Sequence, residues 1–222
     1  MELSEDFEYA IETYGPPQGG ESVGPGLISA MEGKLPPSLL NFWGVHGIGL
    51  WLDGYFQLCD PRKYASIART IFGKDPDFHP ETTHLIGFSG TGVLLFWNQD
   101  HRNLHVNLPS LSVEAAEYFK PQPNVSADIS IGVSLTSIEG KSYDLLDTDA
   151  NYMFERLKAA HGPLTFGEVY APKLHPALGG SYTVENFRPA SALEAFALMA
   201  QAGAFELRDS TQPSVPTIRQ IG

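Results

Sequence analysis

The dipeptide Asp53-Gly54 lies between two short runs rich in aromatic and aliphatic residues, 48–52 and 55–59. Asp-Gly is a favoured connection between antiparallel strands, because the tight turn that suits the strand twist needs a positive φ at both positions. The pattern therefore predicts a β-hairpin. This hairpin constrains the fold strongly, since the turn sets the direction and the register of the two strands.

Further strands and helices follow along the first half of the chain. Residues 84–88 and 93–97 predict a second hairpin, and residues 104–108 can add a third strand to it. Helical patterns flank these strands; they cover residues 4–13, a segment that starts near Pro36, a segment that starts at Asp60-Pro61, and residues 112–119. This half thus predicts a mostly antiparallel sheet with flanking helices.

The second half predicts more helix and shorter strands. Residues 149–160 and 191–201 have the apolar spacing of helices, and short strands are expected near Val169 and over residues 205–208. Residues 125–138 fit either a strand, by their β-branched content, or a helix, by their four-residue apolar spacing; we favour the helix. The fold class that results is α+β with two small lobes.

Two prolines in Lys120-Pro121-Gln122-Pro123 mark the expected boundary between the lobes, because proline continues neither a helix nor a central strand. We therefore predict a first domain of residues 1–120 and a second domain of residues 124–209. The last residues, 210–222, contain two prolines and few large apolar side chains, so we expect them to form an exposed tail.

The chain is strongly acidic, with a formal net charge of -12 over 222 residues. Seven acidic residues and no lysine or arginine lie between Met1 and Glu32. Direct binding of nucleic acid is not expected, because neutralising phosphates requires clustered basic residues. Two interpretations remain open: the charge serves solubility, or it steers the protein toward a basic partner such as a nuclease.

Cysteine content and hydropathy exclude further classes. Cys59 is the single cysteine, so an internal disulfide and a cysteine-based zinc site are both impossible, and its apolar surroundings predict a buried thiol. No run of about 20 apolar residues could span a bilayer. Met1 is followed by acidic residues where a signal peptide needs basic ones. We therefore expect a cytoplasmic protein without a membrane partner.

No motif assembles a catalytic, cofactor or metal site. His101 and His105 have a spacing that suits metal ligands on a helix, but residues 104–108 read as a strand. Asp144, Asp147 and Asp149 lack the glycine and glutamate of a calcium loop and are interpreted as turn and cap residues. We expect no enzyme and no cofactor; an enzyme using His84, His101 or His175 with a nearby acid stays the weakest alternative.

Two regions resemble known families. The order and spacing of the motifs carry the resemblance; they are Leu35-Pro36-Pro37-Ser38-Leu39-Leu40-Asn41-Phe42-Trp43, Gly47-Ile48-Gly49, Asp53-Gly54-Tyr55-Phe56, Asp60-Pro61 and Gly92-Val93-Leu94-Leu95-Phe96-Trp97. This region resembles the GAD-like domain of bacterial immunity proteins. The second half is similar to the C-terminal domain of immunity proteins against type VI secretion DNase effectors, through Gly162-Pro163-Leu164, Gly167-Glu168-Val169-Tyr170, Pro176-Ala177-Leu178-Gly179-Gly180 and Glu185-Asn186.

The resemblance implies a stoichiometric inhibitor that binds a cognate toxin, with a basic nuclease domain as the expected partner, and it carries no catalytic residues. We take turn and loop residues that we expect to be exposed as candidate partner contacts: Asp53, Tyr55, Asp100, Glu168 and Tyr170. The alternative function is a regulatory module that binds a peptide or a small ligand in a cleft between the lobes, since such junctions often leave a pocket.

Overall fold

The computed structural model describes residues 3–138 and 141–221. The elements up to residue 119 are α1 (Glu5–Tyr14), β1 (Gln18–Glu21), α2 (Pro25–Met31), α3 (Pro37–His46), β2 (Ile48–Trp51), β3 (Phe56–Leu58), α4 (Ala65–Phe72), β4 (Thr83–Ser89), β5 (Val93–Asn98), β6 (Arg102–Asn107), β7 (Ser112–Glu114) and α5 (Ala116–Phe119). The later elements are α6 (Ala127–Thr136), α7 (Phe154–His161), β8 (Glu168–Pro172), β9 (Phe187–Ser191), α8 (Ala192–Met199), β10 (Glu206–Arg208) and β11 (Thr217–Gln220).

A large sheet forms the centre of the fold. Within the described residues it has nine strands in the order β1-β2-β3-β4-β5-β6-β7-β10-β11, and β8 pairs with β9 in a separate two-stranded sheet. Neighbouring strands are antiparallel except β7 and β10, which run parallel. The predicted α+β class is confirmed.

Helices cover both faces of the large sheet. One core contains apolar residues of α1, α2, α3, α6 and α7 packed on side chains such as Phe56, Ile86 and Leu95. The other core contains α4 and α8 packed on side chains such as Phe88 and Phe96. Because side chains alternate along a strand, β5 contributes Leu95 to the first core and Phe96 to the second. Because β5 is buried on both faces, its sequence is a continuous apolar run.

Local patterns predicted most of these elements correctly. Both hairpins, the third strand β6, and the helices α6 and α8 are present. The segment 112–119 differs, because residues 112–114 form β7, which pairs with both β6 and β10, and only residues 116–119 are helical. The helix expected from residue 149 begins at Phe154, because the residues before it form a turn.

The chain end does not form an unstructured tail. Most of residues 211–220 are exposed, and Thr217–Gln220 forms β11, which pairs with β10. Ile221 is buried, and the Arg219 guanidinium contacts the carboxylates of Asp75 and Asp77 at 2.5 and 2.6 Å. The sequence prediction missed these contacts because their partners lie more than 140 residues earlier.

The proposed boundary at residues 120–124 separates stretches of chain that interlock in the fold. Helix α6 packs against α1 and α3, and β10 returns to the large sheet beside β7. Both cores contain residues from each side of that boundary. The division into domains of residues 1–120 and 124–209 therefore stays a prediction about sequence units.

Candidate partner-binding site

The turn between β2 and β3 presents an exposed carboxylate. Leu52, Asp53 and Gly54 all have positive φ angles, 50°, 55° and 88°. Trp51 pairs with Phe56, so residues 52–55 form the connection, which is longer than the two-residue turn that the sequence predicts. The Asp53 side chain is 84% exposed, and one carboxylate oxygen lies 3.1 Å from the Lys158 ammonium of α7. Such exposed pairs contribute little stability, so the Asp53 carboxylate remains available to a partner.

The next residue, Tyr55, points inward. It is buried, its hydroxyl accepts a hydrogen bond from the Tyr143 backbone N–H at 3.1 Å, and its ring meets the Phe154 ring edge-on at 5.3 Å between centroids. Burial raises the pKa of the Tyr55 phenol well above its ordinary value. Tyr55 therefore links the hairpin to the second half of the chain as a neutral core residue.

Strand β8 lies against the same end of the sheet. The Gln57 side chain donates to the Glu168 carbonyl and accepts from the Gly167 N–H, both at 2.8 Å. The Tyr170 N–H donates to the Gly90 carbonyl at 2.9 Å. The Glu168 carboxylate is half-buried and accepts from the N–H and the hydroxyl of Thr165, each at 2.8 Å. Side-chain and backbone contacts thus hold Glu168 close to the β2–β3 hairpin.

Gly90 allows this close approach. A side-chain carbon at this position would lie 2.6 Å from the Phe154 ring and 2.7 Å from the Gly54 carbonyl oxygen. The turn between β4 and β5 therefore packs directly against the β2–β3 turn and α7. These three segments, with the start of β8, form what we call the loop end of the sheet.

Two of the five candidate contacts are buried, contrary to the exposure that we expected. Tyr170 is fully buried and its hydroxyl donates to the Gly162 carbonyl at 2.5 Å, and Tyr55 is also buried, so neither ring is the exposed contact that we expected. Asp100 is exposed, but it lies in the turn between β5 and β6, at the opposite end of β5 from the loop end. Asp53 and Glu168 share the loop end, and their role in partner binding stays a prediction.

A rigid turn over residues 147–151 stands beside the loop end. The Asp147 carboxylate accepts from the backbone N–H groups of Asp149 and Asn151 at 2.9 and 2.8 Å, and from the Arg156 guanidinium. These hydrogen bonds, led by the one from Asn151, lower the pKa of Asp147 to about 2. Leu146 and Tyr152 pair across the turn as an isolated β-bridge. The predicted turn role of Asp147 is confirmed.

A cleft of about 480 Å³ opens between this turn and the β2–β3 turn. Its lining combines aromatic, apolar and charged side chains from both halves of the chain: Leu52, Tyr55, Lys141, Asp144, Ala150, Asn151, Tyr152, Phe154 and Glu155. Tyr55 and Phe154 form a buried floor, whereas the Tyr152 side chain is 42% exposed at the rim. The cleft can hold one or two side chains of a partner or a small ligand.

Charged groups of both signs face the cleft. The Asp144 carboxylate is half-buried and accepts from the N–H groups of Leu145 and Phe154 at 2.7 and 3.0 Å, which confirms its predicted cap role. Burial raises the pKa of this carboxyl against those hydrogen bonds. The Lys141 ammonium lies 4.3 Å from the centre of the Tyr152 ring. The Glu155 carboxylate is exposed on the first turn of α7.

Two of the histidines considered for metal or enzyme chemistry, His105 and His175, make structural contacts. The Nε2 atom of His105 lies 3.2 Å from the Tyr143 hydroxyl, and burial lowers the pKa of the imidazole to about 4. Both ring nitrogens of His175 make hydrogen bonds to backbone groups. Cys59 is buried, as predicted. Among the described residues, no three His, Cys, Asp or Glu side chains are grouped as metal ligands.

Comparison with known proteins identifies two matching families and a similar crystal structure. Residues 5–110 match the GAD-like domain family, and residues 136–202 match the family described as T6SS immunity protein Tdi1, C-terminal. These matches confirm both resemblances that the sequence motifs indicate. The crystal structure of Atu4351 from Agrobacterium tumefaciens is similar over 97% of this chain and 98% of that chain, with 40% identity and a TM-score of 0.94. No curated protein matches the sequence.

The two segments that match known families meet at the cleft. Leu52 and Tyr55 come from the GAD-like segment, and Lys141, Tyr152 and Glu155 from the Tdi1 C-terminal segment. The sequence prediction did not include Lys141, Tyr152 and Glu155, although a tyrosine within a polar run was an available signal.

Along the described chain, no helix combines the length and the apolar character needed to cross a bilayer.

Proposed function

We propose that this chain is an immunity protein that binds a cognate antibacterial toxin in the cytosol and neutralises it. The toxin is a type VI secretion DNase with a basic nuclease domain, and inhibition occurs because the complex covers its active site or its DNA-binding surface. The match of residues 136–202 to the Tdi1 C-terminal family is the observation that carries this proposal.

Electrostatics supports a basic partner. The net charge of -12 favours encounter with a positively charged surface, and complementary charge mainly accelerates association. The exposed Glu155 carboxylate lines the cleft, and the exposed residues Asp53 and Asp149 directly neighbour the lining residues Leu52 and Ala150 in the chain. A nuclease surface that binds phosphates presents lysine and arginine side chains, which these carboxylates complement.

The cleft supports a specific contact. Interfaces of standard size bury roughly 1,600 Å², and a few central aromatic or arginine contacts supply most of their affinity. The exposed ring of Tyr152 and the rigid floor of Tyr55 and Phe154 provide such a centre, whereas the surrounding acids suit a polar rim. We therefore place the toxin contact at the loop end.

Co-purification with the product of the neighbouring toxin gene tests the proposal. The two proteins are co-expressed with a tag on the toxin alone, using a nuclease-inactive toxin so that cells survive. A stable complex of both chains supports an immunity protein. The absence of a complex, together with normal toxicity of the active toxin in cells that contain this protein, contradicts it.

The volume and the mixed lining of the cleft also favour a second candidate, a regulatory module that binds a peptide or a small ligand there. A ligand screen by thermal unfolding separates the two functions. A peptide or metabolite that raises the melting temperature of the protein, without any toxin complex, supports the regulatory module.

A further inference from the structure

The cleft already holds a positive charge. The Lys141 ammonium lies over the face of Tyr152, 4.3 Å from the ring centre. A cation at this distance is attracted by the negative face of an aromatic ring. Within the described part of the chain Lys141 forms no ion pair, so the ring and the nearby carboxylates of the cleft hold its charge. The face of the Tyr152 ring in the cleft is therefore a contact surface for a cation.

The cleft also contains a carboxylate that is free to form an ion pair, that of Glu155. The oxygens of Asp144 accept backbone hydrogen bonds from Leu145 and Phe154, which fix this carboxylate in place. Glu155 lines the same cleft, is exposed, and has no ion-pair partner among the residues that the structure describes. A ligand cation can thus pair with the Glu155 carboxylate without displacing an ion-pair partner from it.

The site is held in shape before any ligand arrives. Tyr152 closes the turn that the Asp147 carboxylate fixes with hydrogen bonds to Asp149 and Asn151. Below it, Tyr55 and Phe154 pack edge-to-face in the core. A preorganised site loses little conformational entropy when it binds.

We propose that this cleft binds the guanidinium group of one arginine side chain of the partner protein, stacked on Tyr152 and paired with Glu155. The proposal rests on the proposed function for the source of that arginine. Guanidinium suits the site better than ammonium, because it is planar, stacks on aromatic faces and pairs with a carboxylate through two parallel hydrogen bonds. Lys141, exposed and on a flexible stem, swings into solvent when the arginine enters.

A peptide titration followed by nuclear magnetic resonance tests the site on the full chain. The probe is acetyl-Gly-Arg-Gly-amide, and the control is the same peptide with citrulline, which has nearly the same shape but no charge. We expect the arginine peptide to shift the amide signals of residues 150–155 with a millimolar dissociation constant, and the citrulline peptide to bind about ten-fold more weakly. Equal affinity of both peptides, or shifts confined to another surface, would overturn the proposal.

Three variants at exposed positions refine the test. Tyr152→Leu and Glu155→Gln each weaken binding of the arginine peptide several-fold, whereas Lys141→Ala strengthens it by removing the competing cation. Lys74→Ala, beyond α4 on the other face of the sheet, is the matched control and leaves binding unchanged. Unchanged affinity in both Tyr152→Leu and Glu155→Gln would overturn the assignment of the site.

The same variants separate this proposal from the proposed function. If the toxin complex forms and survives both Tyr152→Leu and Glu155→Gln without loss of affinity, the arginine anchor is wrong and the immunity function stands. If the arginine peptide binds as expected but the protein leaves the toxin active, the site stands and the immunity function is wrong.

Discussion

The phenol oxygen of Tyr55 accepts a 3.1 Å hydrogen bond from the backbone N–H of Tyr143, 88 positions later in the chain. Both groups are buried. The contact joins the β2–β3 hairpin to the segment that supplies the charged side chains of the cleft. It also holds Tyr55, which is part of the cleft floor, in place. Its removal should therefore change stability and cleft geometry together.

Replacement of Tyr55 by phenylalanine tests this bond. Tyr55→Phe keeps the ring but leaves the Tyr143 N–H without its acceptor, which should lower the free energy of unfolding by about 1–3 kcal/mol. Urea denaturation measures the change. The control Tyr9→Phe removes a hydroxyl from a ring that is 50% exposed, and its effect should stay within about 0.5 kcal/mol. Equal effects of the two variants would show that the buried bond contributes nothing.

Gly90 provides a steric test of the loop end. In Gly90→Ala the new methyl group would lie 2.6 Å from the Phe154 ring and 2.7 Å from the Gly54 carbonyl oxygen, so the three segments must separate. We expect destabilisation of about 1–3 kcal/mol and weaker toxin binding. Gly44→Ala, in the exposed part of α3 with nothing within 4 Å, should instead stabilise by about 0.5–1 kcal/mol. A Gly90→Ala protein as stable as wild type would contradict this packing.

The turn at Asp147 predicts a pH dependence. The folded-state pKa of Asp147 is lowered to about 2, so its carboxylate stabilises the fold at pH values above the ordinary aspartate pKa. That contribution is lost as the pH falls from about 4 toward 2. Asp147→Asn should thus be less stable than wild type at pH 6, and the difference should shrink at pH 3. Asp149→Asn, at an exposed position of the same turn, is the control; a pH-independent difference for Asp147→Asn would contradict the assignment.

Arg219 tests whether the last strand contributes to stability. The side chain of Asp75 is fully buried and that of Arg219 is 28% exposed, at 2.5 Å from each other. Arg219→Ala leaves a buried carboxylate without this partner, which should cost about 1–3 kcal/mol of the free energy of unfolding. Arg188→Ala, on the exposed side of β9, should have little effect. If both variants unfold at the wild-type urea concentration, β11 is not a structural part of the sheet.

The hairpins could be predicted because their signals are local. Asp53-Gly54 between two apolar runs is sufficient to indicate antiparallel pairing of β2 and β3. The pairing of β7 with β10 could not be predicted, since a parallel contact between residues 112 and 206 depends on how the whole chain folds. The same limit applies to the contact between Arg219 of β11 and Asp75, which lie 144 positions apart.

The candidate site was predicted only in part for the same reason. Asp53 is exposed as expected because a hairpin turn projects its side chains into solvent. We expect Tyr170 to be exposed as a turn or loop residue, but its N–H bonds to Gly90, 80 positions away, and its ring is buried in the core. The cleft itself arises where residues 52–55 meet residues 141–155, and no local pattern encodes that meeting.

Inhibition of DNA cleavage at defined molar ratios tests the central claim most directly. Purified protein is titrated into the nuclease domain of the neighbouring toxin, and cleavage of plasmid DNA is measured. We predict that one molar equivalent of wild-type protein abolishes cleavage, that a variant with Asp53→Lys and Glu155→Lys needs a several-fold excess, and that Asp100→Lys, at the opposite end of β5, behaves like wild type. Full nuclease activity in the presence of excess wild-type protein would contradict the account.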